Sequence, residues 1–149
     1  MPSSTSPTPP TSRPLGPPFI VLIEAEPMLR LTMARFLSRS GYRVTACPDL
    51  RAATSGLIDG TGRPSLLVLS ARTMNADLVE VAARLAELAP GVPMLGIVDI
   101  HSGDSIRRHL PAGLRLLAPP FDLPDVLRAV RSSLLQSGYT LPGEALLEI

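Results

Sequence analysis

Three side chains in this sequence carry groups that could do acid, metal or nucleophilic chemistry at one place. Glu24 and Glu26 lie two apart in Glu24-Ala25-Glu26-Pro27, and Ser70 ends the run Leu66-Leu67-Val68-Leu69-Ser70. With His101, Ser70 and Glu24 supply the residue types of a Ser-His-acid relay. The nucleophilic reading fails on its surroundings: Ser70 is followed by Ala71 and Arg72 rather than set in a Gly-x-Ser-x-Gly elbow, and no oxyanion hole is evident. The metal reading fails on ligand number, since two carboxylates without a third strong oxygen donor make a poor hard-cation site. Solvated acids at a loop rim and an exposed loop histidine are the simpler expectations, and no catalysis is expected.

For these residues to meet, the elements between them must place them at one edge. Residues 19–23 form a short continuous apolar run, as a strand covered on both faces does. Pro27 suits the first turn of a helix with Leu29, Met33, Phe36 and Leu37 inward and Arg30, Arg35 and Arg39 pointing away, closed by Gly41. Further strands are expected at 42–47, 66–69, 94–98 and 114–117, and further helices at 50–58, 76–88, 102–110 and 122–135. Five strands alternating with five helices predict a three-layer α/β domain around a doubly wound parallel sheet. In such sheets ligands and chemistry sit at the carboxyl ends of the strands, where Glu24 and Ser70 fall.

Composition narrows the function classes. A formal net charge of +1 over 149 residues gives no global field toward nucleic acid or an anionic membrane. Aromatic residues make up only 3% of the chain, too few for stacking on single-stranded nucleic acid. The single cysteine, Cys47, excludes an intrachain disulfide and reads as a small buried hydrophobe. No apolar run reaches the roughly 20 residues of a membrane-spanning helix, and no signal peptide is evident, so a cytoplasmic protein is expected. Residues 1–18, rich in Pro, Ser and Thr, read as a disordered tail, residues 19–136 as the folded domain and 137–149 as a second tail.

Within that pattern, residues 19–135 resemble a response-regulator receiver domain of the CheY-like, flavodoxin-like (βα)5 type. The resemblance rests on Glu24-Ala25-Glu26-Pro27 after the first strand, Ser40-Gly41-Tyr42, the Pro64-led run into the third strand, Gly91-Val92-Pro93, and Pro120-Phe121-Asp122-Leu123, all in family order and spacing. It implies a fold, and it also implies a loss. The family's paired acids after the first strand and its phosphoacceptor Asp at the end of the third match Glu24, Ala25 and Ser70. Its hydroxyl residue after the fourth strand matches Val98, its lysine matches Pro119, and its aromatic switch residue matches Leu116. A hydroxyl cannot form the acyl phosphate, and without the second carboxylate, the hydroxyl donor and the cation nothing offsets the charge of a transferred phosphoryl group. The resemblance therefore implies a pseudo-receiver with no cofactor and no metal, whose degenerate pocket comprises Glu24, Ala25, Glu26, Ser70, Val98 and Pro119.

Output would then come by contact with a protein: a kinase, a regulator or a second copy of the chain as a homodimer. In receivers the usual face is the fourth helix, the fifth strand and the fifth helix, which here carry Arg107, Arg108, Arg115, Arg128 and Arg131 and suit an acidic surface. Two alternatives accompany this reading. One is small-molecule sensing in the vacated pocket, expected to be walled by Ala25, Ser70, Val98 and Pro119. The other is an atypical phosphoacceptor at Ser70. The family also implies a cis peptide before Pro120.

Overall fold

Runs of branched aliphatic residues form strands most readily where both faces are covered, and the two densest runs make the centre of the sheet. The computed structural model describes residues 16–58, 62–70, 78–98, 113–118 and 121–138. In it β1 (Phe19–Ile23) and β3 (Leu66–Ser70) are buried along their whole length. β2 (Arg43–Cys47) and β5 (Leu114–Leu117) form the edges, and β4 (Met94–Ile97) lies between β3 and β5. Every pairing is parallel, in the order β2-β1-β3-β4-β5.

Four described helices cover this sheet: α1 (Pro27–Arg39), α2 (Leu50–Ile58), α3 (Leu78–Leu88) and α4 (Leu123–Gln136). The expected helix at 102–110, most of both expected tails and the bond before Pro120 lie outside the described residues. Because strand side chains alternate between faces, each strand feeds two cores. Ile20, Leu22, Leu66 and Val68 pack under α1 and α4, against Met33, Leu37, Val126, Val130 and Leu134. Val21, Ile23, Leu67 and Leu69 pack under α2 and α3, against Ala53, Val81, Ala82 and Leu85. Three layers result, as the apolar periodicity predicts.

Element ends differ from expectation where caps decide them. Glu26 is the N-cap of α1, its carboxylate accepting from the backbone N–H groups of Met28 (3.1 Å) and Leu29 (2.6 Å), with Pro27 at the first helical position. At the other end Ser40 is the C-cap, and Gly41 follows it at φ 103°, a left-handed conformation that glycine adopts without strain. Asp122 caps α4 rather than opening it, in a reciprocal box: its side chain accepts from Asp125 N–H (3.0 Å), and the Asp125 carboxylate accepts from Asp122 N–H (2.9 Å). Leu29 and Phe36, expected inward, are half-buried. β4 stops at Ile97, and β2 starts at Arg43 rather than at residue 42.

The N-terminal boundary also moves. Pro18 is buried and its carbonyl accepts from Arg43 N–H at 3.0 Å, so the folded unit takes in a residue assigned to the tail. Ser65 fastens the same end: its N–H donates to Phe19 O (2.7 Å) and its hydroxyl accepts from Phe19 N–H (3.0 Å). Gly96 lets α3 and β5 close over β4, because a Cβ there would sit 2.9 Å from Leu78 Cδ2 and 3.1 Å from Leu116 Cδ2.

Candidate functional site at the carboxyl edge of the sheet

Parallel register brings the sequence-distant candidates to one edge. Ile23 pairs with Leu69, so the next step sets Glu24 beside Ser70, and Ser70 pairs with Ile97 on its other side. Cys47 closes β2 at the same edge, its carbonyl accepting from Glu24 N–H at 2.9 Å. Glu24 and Ser70, expected near a solvated rim, are buried at 0% and 1% exposure. Burial of a carboxylate calls for hydrogen bonds to it, and Glu24 Oε2 accepts from Glu26 N–H at 2.8 Å. Glu26 and Ala25 are exposed, and the Glu26 carboxylate caps α1. Both acids are therefore used in building the turn from β1 into α1.

Arg30 belongs to this site although its helical position predicts an outward side chain. It is half-buried, and its guanidinium folds back to donate to the carbonyl oxygens of Glu24 (3.0 Å) and Ala25 (3.3 Å). Its position four residues after Glu26, on the first turn of the helix that leaves the rim, is the signal that points to it. Cys47 senses the local charge as well: burial raises its thiol pKa, the Asp49 carboxylate raises it further, and Arg30 pulls it down.

Strand alternation separates the remaining candidates. Ser70 shares the face of Leu66 and Val68, under α1 and α4, whereas Val98 lies fully buried in the core under α2 and α3. Leu116, at the expected switch position, is half-buried in that same core, beside Gly96. A cavity of about 180 Å³ opens against Ser70 from the α1–α4 side, between Leu29 and Met33 of α1, Ile97 of β4, and Phe121 and Val126 at the start of α4. Of the described residues expected to wall a vacated pocket, Ser70 lines this cavity. Ala25 and Val98 are not among its walls, and Pro119 lies outside the described residues. The Ser70 hydroxyl has no hydrogen-bond partner among the described residues.

On the expected contact face, Arg115 is exposed on β5 and donates to Ser132 Oγ of α4 at 2.8 Å. Arg128 is exposed one turn earlier on α4 and pairs with Asp125, and Arg131 is half-buried. Arg107, Arg108 and His101 lie outside the described residues. Among the described residues, no group of three or more His, Cys, Asp or Glu side chains is placed to hold a metal ion, and no helix is long and apolar enough to cross a membrane.

A parallel sheet in the order β2-β1-β3-β4-β5, with helices on both faces, is the architecture of response-regulator receiver, CheY-like domains. The chain is similar to a response regulator receiver protein from Sinorhizobium medicae WSM419, with a TM-score of 0.70 and 24% identity over 83% of this chain and 99% of that one. It is similar also to a CheY-like receiver domain protein from Methanospirillum hungatei JF-1 (TM-score 0.67, 13% identity, 82% and 97% covered). A structure described as adenylate cyclase from Rhodopirellula baltica gives a TM-score of 0.70 at 19% identity, with 89% and 98% covered. At these identities the likeness is one of fold. No protein-family model and no curated protein sequence matches the chain.

Proposed function

We propose that this chain is a pseudo-receiver: a cytoplasmic, two-component-type signalling module that acts by binding another protein, without phosphoryl transfer and without catalysis of its own. The observation that carries the reading is Ser70. It stands at the end of β3, where a receiver presents its phosphoacceptor, and it offers a buried hydroxyl in place of a carboxylate. Its neighbours support the same reading. Glu24 and Glu26 bond the backbone of the β1–α1 turn, and Ala25 brings no oxygen donor from its side chain. A hard dication needs several anionic oxygens, and a phosphoryl group needs that cation to spread its charge.

Contact with a kinase, a regulator or a second copy would run through β5 and α4. Arg115 and Arg128 there offer guanidinium groups suited to an acidic surface.

Incubation with acetyl phosphate and magnesium, read by intact mass, tests the reading. The wild-type mass stays unchanged, and so does that of Ser70→Asp, because the second carboxylate at Ala25 and the cation at Pro119 are still missing. A gain of one phosphoryl group by the wild type overturns the proposal and establishes an atypical acceptor. The same gain by Ser70→Asp alone would show that only the nucleophile was lost.

A further inference from the structure

The cavity beside Ser70 is absorbed by neither phosphoryl chemistry nor contact through arginines. It lies between the sheet and the α1–α4 layer, and its walls are fixed by secondary structure on three sides: α1, the ends of β3 and β4, and the start of α4. Its volume of about 180 Å³ can be set against the ~150 Å³ apolar cavity that accepts a benzene ring. Leu29, Met33, Ile97, Phe121 and Val126 make the lining predominantly apolar. Ser70 and Asp122 are the polar exceptions, and Ser70 offers a hydroxyl at 1% exposure, facing this layer and without a hydrogen-bond partner among the described residues. A buried polar group normally has a partner, and a ligand bringing one hydrogen-bonding group into this predominantly apolar cavity supplies it.

Charge narrows the ligand class. Asp122 lines the cavity and its carboxylate caps α4, so a ligand carboxylate brought beside it is disfavoured. Among the described residues, no cationic side chain lines the cavity. The occupant that fits is therefore neutral, of one aromatic ring, with a single hydroxyl or equivalent donor–acceptor.

We propose that the chain binds small neutral phenol-type molecules between α1 and α4, with Ser70 Oγ as the polar contact. The proposal is independent of the protein-binding reading, since the phosphodonor experiment and a phenol titration can succeed or fail separately.

The test titrates phenol, benzene and benzoate into the full chain and follows the methyl resonances of Met33 and Ile97 by NMR. Phenol is expected to shift both saturably, and benzoate neither. Ser70→Ala should weaken phenol by about fivefold, the value of one neutral hydrogen bond, and leave benzene unchanged. Leu29→Phe, at a half-buried helix position, fills the space and should abolish both titrations while far-UV circular dichroism shows the fold retained. Absence of phenol shifts in the wild type, phenol binding unchanged by both substitutions, or benzoate binding as well as phenol would each overturn the proposal.

Discussion

Cys47 ends β2 at 8% exposure, and the raised pKa of its thiol follows from burial first and the Asp49 carboxylate second. The folded state thus holds the proton more tightly than the unfolded chain. The stability this contributes is complete below the unfolded thiol's ordinary pKa and is lost as pH rises through the raised folded value. Urea unfolding at stepwise alkaline pH should show a decline that Cys47→Ala partly removes; identical slopes for the two proteins would refute the assignment. The reading of Cys47 as a small buried hydrophobe needed only its apolar neighbours. By contrast, the placements of Arg30 and Ser70 were hidden. A helical wheel sends Arg30 outward, but the two carbonyl oxygens at the end of β1 draw it back. Which core Ser70 faces depends on strand register, which no single run of residues encodes.

Among the elements, α4 shows how two local features pull stability in opposite directions. The Asp122–Asp125 box satisfies N–H groups that a helix start leaves open. Removing it with Asp122→Ala should cost about 1 kcal/mol. Two turns further on, Ser133 Oγ is buried without a hydrogen-bond partner among the described residues. Ser133→Ala deletes that group and improves helix propensity, so a gain of about 1 kcal/mol is expected. Chemical denaturation of the two variants beside the wild type checks both signs, and a destabilised Ser133→Ala would indicate that the hydroxyl is satisfied in solution. Strands and helices were the most legible level: the runs at 19–23 and 66–69 supply both cores, and Met33 and Leu37, read as inward on the first helix, are buried in one of them. The ends were less legible, because a cap such as Glu26 or Ser40 is settled by backbone geometry rather than by apolar spacing.

For the molecule as a whole, the absence of a magnesium response is the broadest expectation of the proposed function. A ligand that binds only the folded state raises its stability in proportion to RT ln(1 + [L]/Kd). Millimolar magnesium should therefore leave the thermal midpoint where it was, and an upward shift that grows with concentration would revive the metal site at Glu24. The pseudo-receiver reading follows from residue identities at the strand ends, which the sequence displays openly. The cavity does not, since Leu29, Ser70 and Val126 become neighbours only when α1 and α4 settle on the same face of the sheet. The first strand also defines where the chain can be shortened. Pro18 O is part of the ladder to Arg43, and Phe19 is bonded twice to Ser65. A chain shortened past Pro18 loses the ladder bond to Arg43, and one shortened past Phe19 loses the pair to Ser65 as well, so the central strand tolerates no cut from Pro18 onward.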